Sequence, residues 1–194
     1  MNTPRLLLGS TSRYRAELLR RLAVEFDTCA PDTDETPRPG EAPAARALRL
    51  AVAKATAAAG DRRDVLVIGS DQVAELGGEL LRKPGDAARA RAQLAASAGR
   101  EVRFHTALCL LDTRSGLART HVDHTRVAFR PLDAGEIARY VEREQPLDCA
   151  GSFKCEGLGI SLFERIDSED PTALVGLPLI ALARLLREAG VVLP

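Results

Sequence analysis

The sequence has no tryptophan, a single methionine and no long hydrophobic run. No segment approaches the roughly 20 apolar residues of a membrane-spanning helix, and the start lacks the charged head and apolar stretch of a signal peptide. The 27 basic and 27 acidic residues cancel to a net charge of zero, which removes the electrostatic case for a nucleic-acid or membrane binder. We therefore expect a cytoplasmic protein whose anion sites, if any, are local.

Several chemical signatures are missing as well. The four cysteines show no CxxC spacing, which favours reduced thiols, and no GxxxxGK[ST] motif is present, which excludes a P-loop. His121 and His124 lie three apart in a strand-like segment, so they should point to opposite faces and not share a metal; we interpret His105 as structural.

Hydrophobic periodicity and turn residues divide the chain into alternating strands and helices. The predicted strands are Leu6–Leu8, a short strand after Glu25, Val65–Gly69, Arg100–Leu111, Leu117–Arg130 and Ile160–Ile166, with a hairpin over Glu75–Leu81. The predicted helices are one after Ser12, then Pro43–Ala59, Asp86–Ala98, Leu132–Val141 and Leu174–Ala189. Loops are predicted before Pro43 and over Gly151–Gly159. This order indicates an α/β protein with a mixed sheet and a cleft.

The segment Gly9–Arg15 has the pattern of an anion site. An apolar run breaks into Ser10, Thr11 and Ser12, and Arg15 falls in the first turn of the helix that follows. Free N–H groups at a helix start favour the binding of an anion, and a guanidinium can donate two parallel hydrogen bonds to phosphate oxygens. A capped surface helix with solvated arginines is the alternative.

Two carboxylates and two lysines are further candidates. Asp71 directly follows a predicted strand and could act as a general base or metal ligand, although it could also be a turn former. Glu35 lies in an acidic loop that could instead be merely solvated. Lys54 and Lys83 stand out in an arginine-rich chain and could offset phosphate charge, with surface solvation as the alternative. Hydrolysis of a triphosphate needs positioned cations and an activated water.

Several separated motifs resemble, in order and nearly from end to end, the Maf family of nucleotide pyrophosphatases. The motifs are Ser10-Thr11-Ser12-Arg13-Tyr14-Arg15, Asp34-Glu35-Thr36-Pro37, Arg49-Leu50-Ala51 with Lys54-Ala55, Ile68-Gly69-Ser70-Asp71-Gln72, Lys83-Pro84, Ala150-Gly151-Ser152-Phe153-Lys154 and Val175-Gly176-Leu177-Pro178. The resemblance implies one domain over residues 1–194, with an elongated, twisted mixed sheet flanked by helices and two lobes around a central cleft. It also implies cleavage of a nucleoside triphosphate between the α and β phosphates, with Mg²⁺, Mn²⁺ or Co²⁺, and a possible homodimer.

The resemblance also implies roles for individual residues. Asp71 matches the proton acceptor and, with Glu35, the metal ligands. The phosphate-binding set corresponds to Ser10, Ser12, Arg15, Lys54 and Lys83. The positions that distinguish substrates correspond to Tyr14, Gln72 and Glu156, and they are most similar to the branch that acts on 7-methyl-GTP. Tyr14 stands where that branch is expected to have tryptophan, and Arg13 where many members have proline.

The specificity positions also make chemical sense. Methylation at N7 gives guanine a positive charge, which an aromatic face such as Tyr14 and a carboxylate such as Glu156 would favour. Gln72 can donate and accept hydrogen bonds. Alternatively, Tyr14 packs the first helix and Glu156 is a solvated acid. A dTTP or UTP pyrophosphatase of the same family, which tends to carry arginine and threonine at positions 14 and 72, and a noncatalytic cell-division regulator are the competing functions.

Overall fold

The computed structural model describes residues 4–193, and within them strands and helices alternate for most of the chain. The strands are β1 (Arg5–Gly9), β2 (Phe26–Cys29), β3 (Val65–Leu76), β4 (Glu79–Leu81), β5 (Glu101–Asp112), β6 (Ala118–Phe129) and β7 (Phe163–Asp167). The α-helices are α1 (Arg13–Arg20), α2 (Pro43–Ala59), α3 (Ala87–Ser97), α4 (Ala134–Glu144) and α5 (Leu179–Glu188). Short 3-10 helices cover Leu158–Leu162 and Ala173–Val175. The predicted α/β class is confirmed.

The strands form one mixed sheet. Its order is β2-β1-β3-β5-β6-β7, and β4 pairs with β3. β1 runs parallel to β2 and β3, whereas β4 is antiparallel to β3 and β7 is antiparallel to β6. Leu6, Leu7 and Leu8 of β1 are all buried. Burial on both faces explains why this strand reads as an uninterrupted apolar run.

Helix α2 lies directly on the backbones of β1 and β3. A Cβ added to Gly9 would lie 2.7 Å from the Cβ of Ala58, and one added to Gly69 would overlap the backbone of Ala51. Glycine at the end of β1 and in β3 therefore lets the helix approach closely. This close approach places Lys54 of α2 beside the polar residues that follow the two glycines.

Contacts within the chain group it into two units. The first unit comprises Met1–Asp71, Thr106–Asp123 and Asp170–Pro194. The second unit comprises Gln72–His105 and His124–Glu169. The single domain with a cleft between two lobes, which the resemblance implied, stays a prediction.

Each unit has its own core. In the first, leucines of β1 and α1 pack with Leu108, Leu110 and the apolar face of α5. In the second, the ring of Phe153 lies 5.4 Å from Phe104, 5.6 Å from Phe129 and 4.8 Å from Phe163, measured between ring centroids, in edge-to-face arrangements. Such aromatic pairs contribute beyond the area they bury. Phe153 thereby fixes the first part of the predicted loop Gly151–Gly159, in which it lies.

The predicted end of the third strand at Gly69 is wrong. β3 continues to Leu76, so Asp71 lies within the strand and not after it. Ser70 and Asp71 resemble a turn because they are polar, but both have partners in the fold. The Ser70 hydroxyl donates to the carbonyl of Gly176 at 2.9 Å, and the Asp71 carboxylate accepts from Lys54 at 2.7 Å. A strand tolerates buried polar side chains when their hydrogen bonds are satisfied.

The boundaries of β7, α5 and α4 also differ from the prediction. Residues from Leu158 to Leu162 form a 3-10 helix, and the strand predicted from Ile160 begins at Phe163. The backbone N–H of Gly159 donates to the carbonyl of Lys154 at 3.1 Å, which keeps this segment in a tight local turn.

Helix α5 begins at Leu179 and not at Leu174. Gly176, with φ of 122°, and Pro178 interrupt the predicted helix. The carboxylate of Asp170 accepts from the N–H of Ile180 at 2.7 Å, which satisfies a donor at the helix start. α4 is also displaced toward the C-terminus, because Asp133 and Glu136 form a capping box at its start.

The cysteines at 29, 109, 149 and 155 form no disulfide among the described residues. Among residues 4–193, no helix is long and apolar enough to cross a membrane. His124 faces His105, with 2.9 Å between their Nδ1 atoms.

Candidate active site

The turn between β1 and α1 is organised by its own hydroxyl groups. Ser12 is the N-cap of α1, and its Oγ accepts from the backbone N–H of Arg15 at 3.4 Å. The Oγ of Ser10 accepts from the N–H of Ser12 at 3.1 Å and from Nη1 of Arg15 at 3.4 Å. The predicted helix start is confirmed. The hydroxyls fix the turn and Arg15, and their contact with phosphate stays a prediction.

Arg15 is anchored from the far end of the chain. Its Nε donates to the carbonyl of Gly176 at 2.9 Å, the same carbonyl that accepts from Ser70. Burial lowers the pKa of Arg15, and the negative charges of Asp71 and Glu35 oppose that shift. The guanidinium therefore shares an electrostatic environment with both carboxylates, and it stays charged because an arginine pKa lies far above neutrality.

Lys54, Glu35 and Asp71 form a compact ion-paired group, called here the Lys54 cluster. The Nζ of Lys54 lies 2.7 Å from Oε1 of Glu35 and 2.7 Å from Oδ1 of Asp71. The side chains of Lys54 and Asp71 are 12% and 11% exposed, whereas that of Glu35 is 55% exposed. One nearly buried ammonium thus joins a buried carboxylate in a strand to an accessible carboxylate in a loop.

The oxygen donors of the Lys54 cluster suit a hard divalent cation. Mg²⁺ is ordinarily held by one or two carboxylates, with substrate phosphates and water completing its shell. Glu35 and Asp71 supply two such carboxylates, because both contact the same ammonium. Within residues 4–193, no larger group of His, Cys, Asp and Glu is placed to hold a metal without a substrate. The residues therefore fit a cation that binds together with a phosphate ligand.

The loop that carries Glu35 is held against α2 by two arginines. Nη2 of Arg46 donates to the carbonyl of Glu35 at 3.0 Å, and Nη2 of Arg49 donates to that of Thr36 at 3.2 Å. Arg49 also pairs with Glu41 through two contacts of 2.5 and 2.8 Å. The hydrogen bond from Arg49 lowers the pKa of Glu41 to about 2. These contacts fix the backbone from which the Glu35 carboxylate projects.

Tyr14 has a cation on its ring. The guanidinium carbon of Arg13 lies 4.8 Å from the ring centroid, and Nη2 of Arg13 donates to the tyrosine hydroxyl at 2.8 Å. The ring is half-buried. Arg13 therefore makes a cation–π interaction with Tyr14, the same kind of interaction that was predicted between Tyr14 and a positively charged base.

The remaining predicted site residues belong to the second unit. Gln72 follows Asp71 in β3 and is half-buried. Lys83 is exposed between β4 and α3, and it has no hydrogen bond or ion pair with the residues that the structure describes. Glu156 is exposed in the predicted loop after Gly151. How these three side chains face the Lys54 cluster stays a prediction.

Comparison with known proteins identifies the family of the chain. A family model described as Maf-like protein matches residues 5–189. The chain belongs to the Maf family. A protein of Xanthomonas oryzae pv. oryzae named 7-methyl-GTP pyrophosphatase is 61% identical over 98% of this chain and 100% of its own length. Proteins with the same name from Burkholderia pseudomallei, 60% identical over 96% of this chain and 88% of their own, and Thiobacillus denitrificans, 57% identical over 97% and 94%, are similar.

This Maf-like protein brings together four of the predicted charged residues and depends on others that sequence reasoning missed. Arg15, Glu35, Lys54 and Asp71 share one environment in the first unit. Ser70, Arg46, Glu41 and the carbonyl of Gly176 hold these residues in place. Ser70 and Gly176 stand in motifs of the family, which was a signal, but they lie 106 residues apart, so spacing could not reveal their contact.

Proposed function

We propose that this Maf-like protein hydrolyses 7-methyl-GTP to 7-methyl-GMP and diphosphate, and so removes a modified nucleotide before it enters RNA. The observation that carries the proposal is the Lys54 cluster, in which one ammonium bridges Asp71 and Glu35 at 2.7 Å each. The name shared by relatives at 57 to 61% identity supports the substrate. We further propose that the enzyme acts in the cytoplasm and, as the family resemblance implies, that it forms a homodimer.

The first unit contains the groups that the hydrolysis needs. In the proposed reaction, the carboxylate of Asp71 accepts a proton from water while the water oxygen bonds to a phosphorus of the α–β anhydride. The bridging P–O bond breaks, and its oxygen leaves with the other phosphate product. Arg15 and Lys54, whose positive charges act on the same carboxylate of Asp71, are proposed to stabilise the charge of the phosphate oxygens.

Glu35 and Asp71 would hold a divalent cation, Mg²⁺, Mn²⁺ or Co²⁺, which neutralises phosphate charge when bound. Ser10 and Ser12 orient Arg15 through the turn that they cap. Lys83, exposed and without an ion partner among the described residues, is proposed to add a further phosphate contact.

Recognition of the base is assigned to Tyr14, Gln72 and Glu156. A methylated guanine ring carries positive charge, which favours the face of Tyr14 and the carboxylate of Glu156. The side-chain amide of Gln72 can both donate to and accept from the edge of the base. This assignment predicts that 7-methyl-GTP is preferred over GTP, which has the same phosphates and an uncharged base.

The experiment is a substrate panel. The purified protein is incubated with Mg²⁺ or Mn²⁺ and with 7-methyl-GTP, GTP, dTTP or UTP, and released diphosphate is measured. We expect 7-methyl-GTP to have the highest kcat/KM and a chelator to abolish turnover. Faster turnover of dTTP or UTP would reassign the substrate to pyrimidine nucleotides. Hydrolysis of none of them would favour a noncatalytic binding role.

A further inference from the structure

The loop that carries Glu156, here called the Glu156 loop (Gly151–Gly159), is fixed before its tip. The Oγ of Ser152 donates to Oε1 of Gln93 at 2.6 Å, and Ser152 adopts a left-handed conformation with φ of 61°. The next residue, Phe153, is buried among the aromatic rings of the second unit. The backbone that enters the loop is therefore held by a hydrogen bond and by packing.

Glu144, the last residue of α4, holds the loop on both sides of its tip. Its Oε1 lies 3.3 Å from Nζ of Lys154, two residues before Glu156. Its Oε2 accepts from the N–H of Leu158 at 2.7 Å, two residues after Glu156. The side chains of Glu144 and Lys154 are only 15% and 12% exposed. One carboxylate thus joins the part of the loop before Glu156 to the part after it. The contacts of Glu144 with Lys154 and Leu158 are called here the clasp.

Two neighbouring contacts reinforce this clasp. Nζ of Lys154 also donates to the backbone carbonyl of Glu144 at 2.8 Å, and the backbone N–H of Lys154 donates to the hydroxyl of Tyr140 at 3.1 Å. A Cβ added to Gly157 would lie 2.7 Å from Oε2 of Glu144, so the loop backbone lies directly on the carboxylate.

A glutamate is an unexpected residue at the end of helix α4. A negative charge in the last turn of a helix is unfavourable, because the carbonyl groups there already carry partial negative charge. Glu144 ends α4, so its charge does not stabilise the helix itself. Its contacts with Lys154 and Leu158 explain why a glutamate stands there, because both contacts hold the loop in place.

The tip contrasts with the anchored arms. Glu156 is exposed, and the contact recorded for its carboxylate among the described residues is the thiol of Cys155 at 3.5 Å. An exposed carboxylate on a fixed backbone can bind a ligand without the entropy cost of ordering a loop. We propose that Glu144 is a positioning residue that sets the preference for the methylated base by fixing the loop that presents Glu156. This inference rests on the proposed function.

The test compares Glu144→Gln with Glu156→Gln, the double variant, and Glu142→Gln as a matched control. Glu142 is exposed on the same helix and has no recorded side-chain contact among the described residues. The readout is the ratio of kcat/KM for 7-methyl-GTP to that for GTP. We expect Glu156→Gln to lower this ratio about tenfold, the size of one charge-assisted hydrogen bond. Glu144→Gln should lower it about three- to tenfold, mainly by raising KM for 7-methyl-GTP.

The double variant should resemble Glu156→Gln, because the two residues act through one contact. A merely structural Glu144 would lower the melting temperature and the active fraction but leave the ratio unchanged, and that result overturns the inference. If Glu144→Gln does not fold, Lys154→Met removes one arm of the clasp and should lower the ratio in the same direction.

The failure of the proposed function has a different signature. If the wild-type protein does not prefer 7-methyl-GTP, or if Glu156→Gln leaves the ratio unchanged, Glu156 does not contact the base as proposed. The inference on Glu144 then fails as well. A ratio lowered in Glu156→Gln but unchanged in Glu144→Gln and in Lys154→Met overturns the positioning role alone.

Discussion

Lys54 in the first unit and Lys83 in the second have opposite surroundings. The Lys54 side chain is 12% exposed and pairs with two carboxylates at 2.7 Å. Lys83 is exposed on a loop and has no ion partner among residues 4–193. Both residues are proposed to bind phosphate, yet among the described residues only Lys54 belongs to an ion-paired group.

The carboxylates of Asp71 and Glu156 differ in the same way as the two lysines, because one is ion-paired and the other is exposed. Asp71 is held within β3 by Lys54, whereas Glu156 projects from a clasped loop into solvent. The groups proposed for chemistry are oriented by one another, and the groups proposed for recognition are oriented through their backbone. Substitutions in the first set should therefore change the rate and the stability together, while those in the second should change KM or selectivity alone.

The largest effect is expected from Asp71→Asn. An amide keeps the shape of the side chain but cannot accept the proton of water, so kcat should fall by about 10²- to 10⁴-fold. Diphosphate release under saturating 7-methyl-GTP measures this, and circular dichroism checks the fold. The control is Asp61→Asn, at an exposed turn position without recorded side-chain contacts among the described residues. More than a tenth of the wild-type kcat in Asp71→Asn would exclude Asp71 as the base.

Replacement of each lysine by methionine tests the contrast directly. Lys54→Met leaves Asp71 buried without its cation, which should cost about 3 kcal/mol of unfolding free energy as well as activity. Lys83→Met should change stability by less than about 0.5 kcal/mol but raise KM about tenfold through the loss of a charge-assisted phosphate contact. Urea unfolding and steady-state kinetics measure the two effects.

The neighbouring variant Arg82→Met is the control for Lys83, because both side chains are exposed on the same loop. An unchanged KM in Lys83→Met would remove Lys83 from the phosphate-binding set. A stable, active Lys54→Met protein would show that the Lys54 cluster does not orient Asp71.

Much of the fold could be predicted, because its signals are local. α2 occupies the predicted Pro43–Ala59, opened by proline at its first position, and α3 lies within one residue of its predicted ends. β3 could not be predicted in full. Its polar residues resemble a strand end, and only the contacts of Ser70 and Asp71 with Gly176 and Lys54 make a longer strand possible.

The charged residues of the proposed site could be found in the sequence, but the contacts that hold them in place could not. The family motifs identified Arg15 and Lys54, because their side chains are distinctive in the sequence. The partner of Arg15 is a backbone carbonyl 161 residues away, which leaves no trace in residue type or spacing. The clasp by Glu144 was missed because an acid at a helix end also fits a solvated surface. The residues proposed to act on a ligand are therefore easier to find in the sequence than the contacts that orient them.

The smallest effect on turnover is expected at Glu41, whose pairing with Arg49 supports the loop of Glu35 and contributes stability that depends on pH. The hydrogen bond from Arg49 lowers the pKa of Glu41 from 4.5 to about 2 in the folded protein. A lowered pKa stabilises the fold while the group is ionised, so this contribution is complete above about pH 4.5 and is lost as the pH falls through about 2. Glu41→Gln should therefore be less stable than the wild type at pH 7, and the difference should shrink across that window. Urea unfolding at pH 7, 5, 4 and 3, with the exposed Glu17→Gln as control, measures it, and a gap that stays constant with pH would contradict the pairing of Glu41 with Arg49.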